Sequence, residues 1–198
     1  TNGGTLWDVD GLEGLRDNAL VHENRYFHAA TANGIFTRSE TLTWSSATIS
    51  YPNHSAEALA VGDSGRVFAS LNNAAQSTIV YSTDNGASWI TGMYASSAPP
   101  APAPMAASSD GRLFAYVPYT LYSWRQPSFP REETRLRTAI GSNDFDARDM
   151  VIHPVTGHAY ICGWYDSPAV TAGRIYRSAA TTAETAAQLS VTRSPQTT

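Results

Sequence analysis

The sequence predicts an all-β fold: a β-propeller of about four blades, each a four-stranded antiparallel sheet, either a closed small ring or part of a larger propeller. Three observations lead there. A unit reading Asn-Arg-Tyr-Phe, Gly-Arg-Val-Phe, Gly-Arg-Leu-Phe and Gly-His-Ala-Tyr recurs with its aromatic at Phe27, Phe68, Phe114 and Tyr160, spaced by 41, 46 and 46 residues. Such a period is close to the roughly 40–45 residues of one blade. Each period is filled by short β-branched and aromatic runs bounded by turn residues, and almost nothing carries the 3.6-residue repeat of a helix. One of these runs ends in a compact hairpin sequence, Ser82-Thr83-Asp84-Asn85-Gly86-Ala87-Ser88-Trp89.

At 198 residues the chain is long enough for one sizeable core. A single domain over 1–198 is expected, with repeats near 17–50, 56–95, 103–140 and 147–193. Ahead of them, Thr5-Leu6-Trp7-Asp8-Val9 in segment 1–16 is a strand candidate suited to completing the last sheet and removing its open edge. First strands are centred on Leu20, Leu59, Met105 and Val151, and the last three each precede their aromatic by nine residues. Third strands follow at Gly34–Ser39, Ile79–Ser82, Leu121–Trp124 and Arg174–Ser178. Fourth strands are placed at Thr43–Ile49, Ser88–Met93, Leu136–Ile140 and Gln188–Arg193. Pro99, Pro100, Pro102 and Pro104 make Ser96–Pro104 a stiff, extended connector between blades. The Ala/Thr-rich stretch Ala179–Ala187 reads as a loop or a short helix.

Each fixed residue of the Ser82–Trp89 hairpin has a mechanical task. The Asp84 carboxylate can fold back onto nearby backbone N–H groups. Gly86 supplies a positive φ, and Trp89 returns its apolar face to the core with an indole N–H that needs one partner. The pattern resembles the Asp-box, or bacterial neuraminidase repeat, of sialidases, sortilin-type receptors and several glycoside hydrolases, in which it marks the outer hairpin of a propeller blade. In the first repeat Trp44 follows Phe36 by the same eight residues that separate Tyr81 from Trp89, with Ser39, Glu40 and Thr41 in place of Asp84, Asn85 and Gly86. The resemblance implies a propeller and assigns Ser82, Asp84, Gly86 and Trp89 a structural role on the rim opposite the ligand face. The family's sialidases also carry an arginine triad and an Arg-Ile-Pro motif. Here the corresponding text is Arg174-Ile175-Tyr176, which disfavours sialidase activity.

Composition narrows the function. A formal charge of −4 argues against nucleic-acid binding, and no apolar run approaches the roughly 20 residues of a membrane helix. All thirteen cations are arginine. The single cysteine, Cys162, lies in an apolar run and is expected to be buried. The five histidines have no recurring metal spacing. No metal and no cofactor are expected.

The ligand face of a propeller is built from inter-blade loops, here Ser50–Ala56, Tyr94–Pro104 and Gly141–Arg148, and from the loops joining second and third strands, here His28–Asn33, Leu71–Ser77, Tyr116–Thr120 and Gly163–Gly173. Asp144, Asp146, Arg148, Trp164, Tyr165 and Asp166 are the richest group there. Aromatic faces stack on sugar C–H surfaces while carboxylates and arginine take hydroxyls. The expected function is a noncatalytic recognition or assembly module binding a glycan or a protein, as a free chain or within a larger assembly, on an extracellular or virion surface. The alternative is a glycoside hydrolase using two of Asp144, Asp146 and Asp166 across a cleft.

Overall fold

The computed structural model describes residues 11–41, 43–49, 54–62, 65–73, 76–96, 104–108, 111–117, 120–125, 134–136, 145–167 and 170–177. The expected strands at Thr5–Val9 and Gln188–Arg193, the Ala179–Ala187 stretch and most of the Ser96–Pro104 connector lie outside the described residues, as does Asp144. Asp146, Tyr165 and Asp166 are described by strand register alone.

Every regular element among the described residues is a strand, and the strands form four antiparallel meanders. The first sheet comprises β1 (Asp17–Glu23), β2 (Tyr26–Thr31), β3 (Gly34–Ser39) and β4 (Ser45–Ser46). The second comprises β5 (Ser55–Val61), β6 (Val67–Asn73), β7 (Gln76–Ser82) and β8 (Ile90–Ser96). The third comprises β9 (Met105–Ala107), β10 (Arg112–Val117), β11 (Thr120–Arg125) and β12 (Thr134–Leu136). In the fourth, β13 (Phe145–Ile152), β14 (Ala159–Ser167) and β15 (Val170–Arg177) are described. First strands touch in series, β1 to β5, β5 to β9 and β9 to β13, so the sheets stand side by side around their first strands like blades. No contact of similar extent joins β13 back to β1 among the described residues.

The core lies between blades. Ala30 and Ile35 of the first pack on Leu59, Val67, Ala69 and Leu71 of the second. Phe68 and Ile79 then meet Met105, Leu113 and Ala115, and Phe114 and Tyr116 meet Met150, Ile161 and Tyr176. Because strand side chains alternate between faces, each blade uses one face to receive its predecessor and the other to cover its successor. Phe68, Leu71, Leu113 and Ile161 are fully buried, each stabilising the fold by roughly 1.5–3 kcal/mol.

Hairpin length corrects the repeat register at both ends. The second and third blades pair Ala60 with Phe68 and Ala106 with Phe114. In the first blade a two-residue turn, Asn24 and Arg25, both at positive φ, pairs Val21 with His28. His28, not Phe27, therefore occupies the aromatic position facing the next blade. Phe27 points the other way, with its ring 4.6 Å from that of His22 and 5.1 Å beneath the Arg38 guanidinium. In the fourth blade the first two strands are joined by a longer loop, 153–158, so Met150, not Val151, is the counterpart of Leu59 and Met105. A change of one residue in a hairpin flips every later side chain to the opposite face.

Two further expectations are corrected. The described residues of Gly141–Arg148 and Gly163–Gly173, read as loops, are strand: β13 begins at Phe145, β14 runs to Ser167 and β15 resumes at Val170. Cys162 is only half-buried, because it pairs with the exposed Ile175 on the blade face that no following sheet covers among the described residues.

Candidate functional site

In an antiparallel meander, the start of the first strand and the turn between the second and third strands fall at the same end of the sheet. The turn between the third and fourth strands falls at the other. The Ser82–Trp89 hairpin, between β7 and β8, is therefore on the rim opposite the first-strand starts. Its residues close on one another. Gly86 N–H donates to Ser82 Oγ (2.8 Å), Ser88 N–H and Oγ donate to Asp84 (2.9 and 2.6 Å), and the Trp89 indole donates to Gly86 O (3.1 Å). The Ser88 hydroxyl and N–H, with the Ser82 hydroxyl, hold the Asp84 carboxyl below its ordinary range. Gly86 has φ +83° and presses on the first blade: a Cβ there would fall 2.8 Å from His28 Cε1 and 2.9 Å from Thr37 Oγ1. His28 is fully buried, bonded through Nδ1 to Thr37 Oγ1 at 3.0 Å, and Nε2 has no partner among the described residues. Burial first, and the charge of His22 second, lower its pKa from 6.5 to about 4.

The rim at the first-strand starts has a repeated feature. The pairing slips by one residue between Asp17 and Ala19, between Ala56 and Ala58, and between Ala147 and Asp149. The extra residues are Asn18, Glu57 and Arg148, at the same step of three blades. A bulge of this kind bends the strand and re-aims its extra side chain. Asn18 donates to Ala56 O (2.7 Å), tying the first blade to the second, and the Ser55 hydroxyl donates to Glu57. Close by, His54 Nε2 and Asn73 Nδ2 stand 2.9 Å apart, and Ser77 Oγ donates to Asn72 Oδ1. Arg148 is exposed.

Of the residues nominated from the sequence, Arg148 stands at this rim. Asp146 is the register partner of Trp164, and Phe145 that of Tyr165. Asp166 pairs with Thr171 and lies two residues beyond Trp164. The backbone positions of Asp146 and Asp166 are thus diagonal neighbours, a separation of about 7–8 Å. Trp164 stands on the flat face of the fourth blade rather than in a loop, its ring 3.9 Å from where a Cβ on Gly173 would sit. Sequence reading passed over Asn18, Glu57, His54 and Asn73. The signal for the bulges is legible in retrospect: Asn18, Glu57 and Arg148 each stand two residues before an apolar residue of the receiving face, Leu20, Leu59 and Met150.

No family model and no characterised protein sequence matches the chain. Solved structures do match. The GH74 enzyme of Niastella koreensis superposes with a TM-score of 0.61 at 15% identity, over 89% of this chain and 24% of that one. YCF48 bound to a D1 peptide gives 0.55 at 14% identity, over 82% and 53%. The N-terminal domain of Nup159 gives 0.53 at 11% identity, over 89% and 48%. All three are β-propellers. The fold is a β-propeller. This chain spans about a quarter of the GH74 enzyme and about half of each of the other two, and at these identities the likeness is one of fold. The propellers it resembles include an enzyme as well as noncatalytic proteins.

Proposed function

We propose that this chain is a noncatalytic recognition module that holds a partner protein, through an extended peptide segment, on the rim where the first strands begin. One observation carries the reading. The first strands of the first, second and fourth blades bulge at the same step, and the re-aimed residues are an amide, a carboxylate and a guanidinium: Asn18, Glu57 and Arg148. These groups complement the donors and acceptors of a peptide backbone or its polar side chains. That YCF48, a propeller of similar fold, is solved with a D1 peptide supports a peptide ligand.

The test is binding of the wild-type chain to a peptide array and a glycan array, beside Glu57→Ala, Arg148→Ala and Trp164→Ala. Loss of either rim side chain should weaken peptide binding by roughly tenfold, the effect of one polar contact worth about 1.4 kcal/mol. Trp164→Ala should leave it unchanged. Signals equal across wild type and both rim variants would refute the rim, and selective glycan capture would replace the peptide as ligand.

A further inference from the structure

Two turns carry the same dipeptide in opposite states. Asn33-Gly34 stands at the turn between β2 and β3, and Asn85-Gly86 in the hairpin between β7 and β8; a third copy, Asn2-Gly3, lies outside the described residues. In such a pair the glycine nitrogen can attack the side-chain amide before it, because glycine brings no side chain to shield that nitrogen. The reaction requires the asparagine amide to be free to swing onto the nitrogen.

Asn85 is held in place. It is half-buried, its N–H donates to Gly65 O (3.2 Å), and its Oδ1 accepts from Asn24 Nδ2 (3.5 Å). The next nitrogen is occupied as well, since Gly86 N–H donates to Ser82 Oγ (2.8 Å). Asn33 is exposed, and its side chain has no hydrogen-bond partner among the described residues. The bonds at this turn fix its main chain instead: Asn33 N–H donates to Thr31 Oγ1 (3.0 Å), Thr31 Oγ1 to Gly34 O (3.0 Å) and Ala32 N–H to Arg16 O (2.9 Å). They keep Asn33 at the rim where β1 begins. His54 is its neighbour there, with its carbonyl 3.9 Å from where a Cβ on Gly34 would sit.

We infer that Asn33 is a self-acting modification site, a neutral rim amide that converts to a carboxylate in the folded protein. The Gly34 nitrogen, having given its proton to solvent base, bonds to Asn33 Cγ. The Cγ–Nδ2 bond breaks, and Nδ2 leaves as ammonia. Water then opens the resulting succinimide at either carbonyl, giving aspartate when the new N–Cγ bond breaks and isoaspartate when the original peptide bond breaks. Either product takes the formal charge of the chain from −4 to −5. The rim is the one proposed above to hold a peptide, but the conversion depends on the turn alone.

The experiment is incubation of the folded chain at pH 8 and 37 °C, followed by trypsin digestion and peptide mass mapping, beside the same chain in denaturant. Arg38 and Arg66 lie between the two sites, so each appears in its own peptide. In the folded chain the Asn33 peptide should gain the mass of an amide-to-acid change and accept methyl groups from an isoaspartyl methyltransferase; Asn33→Gln should show neither. Asn85 should convert at least about tenfold more slowly, because it reacts only from an opened hairpin and each tenfold corresponds to about 1.4 kcal/mol of opening. In denaturant the two should convert at similar rates. An Asn33 that stays an amide in the folded chain would overturn the inference, as would an Asn85 that converts there as fast as Asn33.

Discussion

His28 makes the fold's stability depend on pH in a definite direction. The ring is sealed between the first blade and Gly86 of the second, and burial, with the charge of His22, lowers its pKa from 6.5 to about 4. An unfolded chain takes up this proton as pH falls through about 6.5, while the folded chain declines it until about pH 4. The depressed pKa therefore means stability that is fully present above pH 6.5 and is lost progressively down to about pH 4. At 1.36 kcal/mol per pH unit, the whole window amounts to at most about 3.4 kcal/mol, and the part between pH 6.5 and 5 to about 2 kcal/mol. For a chain of this length, 2 kcal/mol lowers the melting temperature by about 4–8 °C. The assay is thermal unfolding at pH 7.5 and pH 5 for wild type and His28→Gln, which keeps an acceptor for the Thr37 hydroxyl and does not titrate. The other four histidines are common to both proteins, so the difference between the two melting shifts isolates His28. Equal shifts in the two proteins would refute the reasoning.

The Ser82–Trp89 hairpin and the inter-blade core give three more expectations. Asp84→Ala removes the acceptor of both Ser88 bonds and should cost about 1–2 kcal/mol in urea unfolding. Because its carboxyl is held below the usual range, the wild-type contribution should be present at neutral pH and vanish as pH falls through the folded-state pKa, which Asp84→Ala would not show. Gly86→Ala forces a positive φ on a residue with a Cβ and drives that Cβ into His28, so a loss of about 2–4 kcal/mol is expected; a loss below 1 kcal/mol would mean that the turn relaxes freely. Phe68→Ala, at the centre of the second-to-third blade contact, should cost about 3–5 kcal/mol, and chemical denaturation reads it directly.

The flat face of the fourth blade also bears on where a ligand can sit. Trp164, with its half-exposed ring over Gly173, has the look of a sugar platform when read from the sequence, since aromatic faces commonly serve that way. In the blade it shares a face with Val151 and Ile175, and on the preceding blades the same face is the contact with a neighbour. Arg148 differs, because its bulge turns it out at the strand start. The proposed recognition rim and the flat face of the fourth blade are therefore separate surfaces, and variants at one can be read without disturbing the other.

The number of repeats, their all-β character and the closing bonds of the Ser82–Trp89 hairpin were legible in the sequence. All are local properties: a 40–46-residue spacing of aromatics, alternation without a helical period, and a turn whose Ser, Asp, Gly and Trp bond within eight residues. Which side chains face which neighbour was not legible, because it depends on hairpin length. A two-residue turn at Asn24 and Arg25 put His28 where the pattern suggested Phe27, and a loop longer than its counterparts put Met150 where it suggested Val151. The strand content of Phe145–Arg148 and Gly163–Ser167 was hidden as well, since Asp, Gly and Arg there imitate loop chemistry while the pairing that makes them strand comes from residues about 20 positions away. The bulges at Asn18, Glu57 and Arg148, and the exposure of Leu20 and Val151, belong wholly to the tertiary structure. A residue's burial in this fold is set by the blade beside it, and no stretch of chain contains both sides of that contact.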